Sequence, residues 1–137
     1  MELIIPLKPV TKKNSQRIIK VGGYPRIIQS KAYCTYEKEA VRRLKGCTEK
    51  PITSAVNVAM IFYMPTLRKV DLVNLEEACL DVLVRAGILA DDKSSIVATM
   101  DGSSVQYDKD RPRTVIRITK AVDRAEIGAE LSEEEGR

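Results

Sequence analysis

The sequence predicts an α+β fold, a single domain with a mixed β-sheet and two main helices. Three observations carry that expectation. Residues 31–44 and 72–86 repeat apolar side chains at the helical period. Residues 55–63 alternate as a strand does. Several shorter apolar runs are bounded by Gly-Gly, Asp-Gly or proline, the punctuation of strands and turns. With 137 residues and 44% hydrophobic composition, the chain can bury one real core but hardly two. The domain is expected over 1–120, followed by a charged, flexible tail over 121–137 that contains Glu133, Glu134 and Glu135.

Taken in order, residues 2–7 (ELIIPL) predict a short strand, with Pro6 favouring an edge or a strand end. The polar segment that follows, Lys12 to Arg17, combines positive charge with side-chain amides in a loop. Arg17–Val21 and Tyr24–Ile28 flank Gly22-Gly23, the signal of a short hairpin. Ser30 is placed to cap a helix running to about Leu44, with Gly46 ending it. Its apolar members are Tyr33, Tyr36, Ala40, Val41 and Leu44. The run from Ala55 to Tyr63 is long and apolar enough for a central strand.

A second helix is predicted from Leu72 to Ala86, with Asp71 as its N-cap and Gly87 as a left-handed stop. Leu72, Leu75, Cys79, Val82, Leu83 and Ala86 share the face that should pack on the sheet. Val73, Leu80 and Val84 form another apolar stripe, so two sides should be buried. Asp71, Asn74, Glu77 and Asp81 then form the open one. Beyond it, Ser95–Met100 and Ser104–Tyr107 read as a hairpin turning at Asp101-Gly102, and Arg113–Thr119 as a last strand.

Composition removes several kinds of chemistry. The chain has no histidine, and its three cysteines, Cys34, Cys47 and Cys79, form no CxxC pair. Zinc fingers and Ser-His or Cys-His nucleophilic sites are therefore excluded. No glycine-rich phosphate loop is present, so no nucleotide cofactor is expected. The start, MELIIPLKP, lacks a basic leader with a long apolar segment, and no apolar run reaches the length of a membrane span. The expectation is a cytoplasmic protein with no membrane partner.

The net charge of +4 is unevenly spread. Residues 1–50 hold 12 Lys and Arg against 4 Asp and Glu, residues 51–120 hold 9 against 9, and residues 121–137 hold 2 against 6. A basic N-terminal region suits a polyanion, above all nucleic acid. Against it stands a set of carboxylates, Asp71, Glu77, Asp81 and the pair Asp91-Asp92, gathered near one helix. Oxygen ligands from two segments are what a hard divalent cation requires. Singly each has an ordinary explanation as a cap, a turn residue or a solvated surface; together they make a candidate metal site.

The run Asp71-Leu72-x-Asn74-Leu75, then Ala78, Asp81, Leu83, Ala86-Gly87 and Asp91-Asp92, resembles the signature of the RusA family of Holliday-junction resolvases. Lys12-Lys13-Asn14-Ser15 is similar to that family's asparagine-bearing N-terminal segment. The resemblance implies a RusA-like fold and a homodimeric endodeoxyribonuclease, typically of phage or prophage origin, that resolves four-way junctions by paired symmetric nicks. It implies Mg²⁺, with Mn²⁺ as a substitute, held by Asp71 and Asp92 with Asp91 beside them.

Two positions depart from the family pattern. Val73 stands where its second aspartate usually lies, and Glu77 where its helix lysine falls. Recruitment of Glu77, or less directly Asp101, would restore a ligand, and Lys69 or Lys93 would take the lysine's part in catalysis. DNA contacts are expected from Lys12, Lys13, Asn14, Arg17, Arg68 and Lys69. The competing reading is a branched-DNA-binding protein of the same fold with weak or no catalysis. A small RNA-binding domain is less well supported, because one phenylalanine and no tryptophan leave little for base stacking.

Overall fold

In the computed structural model, which describes residues 1–12 and 16–121, the expected α+β domain is present as a mixed sheet with two helices. The sheet is organised around β4 (Val56–Met64), whose burial alternates along the strand: Val56, Val58, Met60 and Phe62 are buried. Antiparallel to β4 runs β7 (Arg113–Lys120), in register from Val56 opposite Lys120 to Tyr63 opposite Arg113. β1 (Glu2–Ile5) pairs antiparallel with β7 and forms one edge, ending immediately before Pro6. The hairpin of β2 (Gln16–Val21) and β3 (Tyr24–Gln29) makes a separate two-stranded sheet. Positive φ at both Gly22 and Gly23 gives the tight turn its glycine requirement.

Both helices place their apolar faces in the same core as the sheet. In α1 (Lys31–Leu44), the Ser30 hydroxyl accepts a hydrogen bond from the Tyr33 N–H, and Tyr33, Tyr36, Ala40 and Leu44 are buried. In α2 (Leu72–Arg85), Leu75, Ala78, Cys79, Val82 and Leu83 are buried. These meet Leu3, Ile5, Met60, Phe62, Ile116 and Ile118 in one cluster. Burial raises the Cys79 thiol to about 12, which makes it a core residue and not a nucleophile.

Two expectations change. The segments over 95–107 do not form a hairpin. β5 (Val97–Thr99) and β6 (Ser104–Tyr107) each pair parallel with β4, one near its start and one near its end. The chain therefore steps along a single edge instead of doubling back. Side chains make the step possible. Asn57 Oδ1 accepts from the Asp101 N–H and its Nδ2 donates to the Asp101 carbonyl, while the Ser103 hydroxyl accepts from Met60 N–H and donates to the Met100 carbonyl. These bonds replace a ladder that the turn interrupts. The second change concerns the Val73, Leu80, Val84 stripe. Leu80 and Val84 are partly buried against the core, but Val73 in the first turn is 66% exposed. The tail residues 122–137 lie outside the described residues, as do Lys13, Asn14 and Ser15.

Candidate functional site

The β4–α2 connection delivers Asp71 to the first turn of α2. There Asp71 Oδ1 accepts from the Val73 N–H at 2.9 Å, an N-cap that anchors the carboxylate at the positive end of the helix. Its side chain is otherwise open to solvent. Three turns further on, Asp81 is a point of convergence. Its Oδ2 lies 2.5 Å from Lys12 Nζ, with only about a quarter of each side chain exposed (26% and 27%). The same carboxylate acts electrostatically on Tyr33 of α1 and on Asp92.

Tyr33 and its partners fasten the two helices at this level. The Tyr33 hydroxyl donates to Glu37 Oε2 at 2.7 Å, and Glu37 Oε1 receives Arg85 of α2 at 2.5 Å. Burial, reinforced by the Glu37 carboxylate, pushes the phenol far above its ordinary range, so Tyr33 remains a donor.

Gly87, at φ 77°, ends α2 and turns the chain towards Asp91 and Asp92. Asp91 Oδ1 accepts the Asp92 N–H at 2.7 Å and Lys93 Nζ stands 3.4 Å from Asp91 Oδ2. The Asp92 N–H chiefly, and the Asp92 carboxyl and Lys93 after it, hold Asp91 below the usual carboxylate range. Asp92 moves the other way, first through its hydrogen bond with the Asp91 carboxylate and then through partial desolvation and the charges of Asp91 and Asp81. Two adjoining carboxyl groups thus present one place for a single positive charge, a proton or a cation.

That pair fits part of the oxygen shell of a hard cation, not the whole of it. Among the described residues no three Cys, Asp or Glu side chains gather closely enough to hold one ion. Glu77 is exposed on α2, and neither it nor Asp71 joins Asp91 and Asp92 in such a group. Asp101 is fixed in its turn through its backbone bonds to Asn57.

The expected basic residues separate into two sets. Lys12 is held against Asp81, and Arg17 belongs to β2. Arg68 and Lys69 are exposed and line a cleft of about 570 Å³ between the segment after β1 and the segment before α2. Lys8, Pro9, Thr11, Met64, Thr66 and Val70 complete its lining. Lys8, Thr11 and Thr66 escape a reading by motif, because no spacing joins residue 8 to residue 68. Lys8 does carry a local signal, a lysine between Pro6 and Pro9 directly after a strand. The Tyr33, Glu37 and Arg85 cluster is likewise assembled across two helices.

The arrangement is that of a small α+β domain with an acidic element beyond the end of one helix and, at its start, a cleft whose Lys8, Arg68 and Lys69 have no ion-pair partner among the described residues. The family model for endodeoxyribonuclease RusA matches residues 6–119 of the 137, and the chain belongs to that family. No curated protein sequence matches it. Family members act as endodeoxyribonucleases on branched DNA junctions and depend in general on divalent metal. Among the described residues, no helix is long and apolar enough to cross a membrane.

Proposed function

We propose that this chain is a structure-selective endodeoxyribonuclease that resolves Holliday junctions by paired symmetric nicks, in the cytoplasm, during DNA recombination and repair. The observation that carries the reading is the extent of the family match. It runs from the end of β1 to β7 and takes in the acidic pair and the basic cleft together. Of the divalent ions, Mg²⁺ is the one we assign, to the Asp91-Asp92 pair; Asp71 and Glu77, expected from the sequence as further ligands, do not gather with that pair among the described residues. When bound it would polarise the scissile phosphate and acidify an attacking water.

The remaining work falls to the chain. Lys69, exposed two residues before Asp71, offsets charge developing on the phosphate. Lys12, held by Asp81, brings a second cation to the acidic side. Asp71, fixed by its own cap bond, is presented at a constant position at the head of α2. A four-way junction has two-fold symmetry, which calls for a homodimer; Val73, exposed at the start of α2, is a candidate contact in it.

Val73 also favours a second reading. An exposed valine stands where the family usually has an aspartate, and the described carboxylates do not close around an ion. A branched-DNA-binding protein with little catalysis would have these features. A nicking assay on a synthetic mobile four-way junction separates the two. Symmetric nicks that require Mg²⁺ and vanish in Asp92→Asn support the nuclease. Tight binding with no nicks at any Mg²⁺ concentration supports the binding protein.

A further inference from the structure

The cleft at the start of α2 is joined to a second one. A neighbouring cleft of about 450 Å³, between the end of β1 and the loop before β7, is lined in part by Lys8, Asp110, Arg111 and Arg113. Lys8 lines both. The two concavities therefore adjoin at Lys8, with Arg68 and Lys69 lining one and Arg111 the other. All four of these side chains are exposed, and among the described residues none of them takes part in an ion pair. Arg113 is different: Asp108 holds it at 2.8 Å and its guanidinium lies 3.9 Å from the centre of the Tyr63 ring. It shapes the wall and is not free to bind.

We propose that this surface is a backbone track for a single DNA strand, in which Lys8 sits between two consecutive phosphate subsites. One subsite is formed by Lys8, Thr66, Arg68 and Lys69, and the other by Lys8 and Arg111. This rests on the nucleic-acid reading above and adds to it residues, Lys8, Thr66 and Arg111, that neither the sequence motif nor the acidic element identifies.

Several features favour a polymer over a free anion. The cations stand on exposed rims instead of closing over a buried pocket, so a bound phosphate keeps its connections on both sides. Pro9 and Thr11, both buried, line the first cleft between its cations and give the connecting sugar a surface that carries no charge. A lysine shared by two adjoining clefts serves a ligand that repeats its charge. Asp110 in the second cleft opposes an anion there, which makes that subsite the weaker of the two. The track ends two residues before Asp71, so a strand held in it is delivered towards the head of α2.

The test is the salt dependence of four-way junction binding, followed by fluorescence anisotropy with the intact chain and with Lys8→Gln, Arg111→Gln and Lys50→Gln. The last removes the same charge from an exposed position in the loop after α1. For Lys8→Gln, the slope of log K against log salt should fall by about one, since each neutralised phosphate contributes about 0.7–0.9. Arg111→Gln should lower it by less than one, and Lys50→Gln should leave it near the native value. If Lys8→Gln and Lys50→Gln behave alike, the track is wrong. It is also wrong if inorganic phosphate, at constant ionic strength, displaces the junction from the native chain and not from Lys8→Gln, because the cleft is then a free-anion site. Nicking is scored in the same samples. An altered slope without any nicking by the native chain removes the nuclease reading and keeps the track; normal nicking with an unaltered slope does the reverse.

Discussion

Asp81 and Glu37, where the two helices meet, each have a cation against them, Lys12 and Arg85; Lys8, Arg68 and Lys69, at the mouth of the cleft, have no ionic partner among the described residues. Both regions are rich in charge, yet they answer to different demands. A partly buried carboxylate without a partner raises the free energy of the fold, so those at the helix crossing are matched. Exposed lysines and arginines cost little unpaired and remain available to a ligand. Substitutions at the crossing should therefore act on stability, and substitutions at the cleft on DNA affinity.

The largest effect should come from the acidic pair, which belongs to neither set. Asp92→Asn is expected to reduce nicking by on the order of 10²–10³, the usual loss for a group that stabilises a transition state, while junction affinity stays within a few-fold. A parallel loss of affinity, measured by anisotropy, would show that Asp92 acts in binding. Next, the double variant Arg68→Gln, Lys69→Gln should weaken junction binding about tenfold or more at moderate salt and leave the melting temperature unchanged. A fall in melting temperature would assign those residues to the fold and erase the contrast between the regions.

At the helix crossing, Asp81→Asn should cost about 1 kcal/mol of stability in denaturant unfolding, within the range of partly exposed ion pairs, with a smaller effect on DNA binding than Lys8→Gln has. Asp108 gives a pH test. Its hydrogen bond and ion pair with Arg113 depress its pKa below 3.8, so its contribution is fully present above that value and is lost as pH falls below it. Asp108→Asn should lower stability at neutral pH, where the contribution is fully present, leave it nearly unchanged well below pH 3.8, and so flatten the acid side of the stability profile. Smallest of all, Cys34 and Cys47 should react with a thiol reagent in the native protein and Cys79 only on unfolding.

The helices were legible because their signals are local. Ser30 and Asp71 cap them, and Gly46 and Gly87 lie just beyond their ends in left-handed conformation. The pairing of β5 and β6 was not, because Asp101-Gly102 between two apolar runs reads the same whether the strands pair with each other or both pair with a third. The choice is made by Asn57 and Ser103, whose bonds reach 44 and 43 residues along the chain. Val73 reads as core by its spacing from Leu80, and is exposed because that side of the first turn has no neighbour to cover it. The acidic residues were visible one at a time. That Asp81 would hold Lys12, from 69 residues earlier, follows only from the folded arrangement.

The interrupted pairing along β4 has a consequence for how copies of this protein meet. One edge of the sheet is broken into strands of three and four residues, and the other is β1, four residues long and closed by Pro6. Neither offers an incoming strand a long, straight row of free backbone groups. Association by extension of this main sheet, the route to fibres and to runaway oligomers, is disfavoured at both of its margins, which leaves side-chain contacts or the separate β2–β3 hairpin to join a discrete pair of subunits.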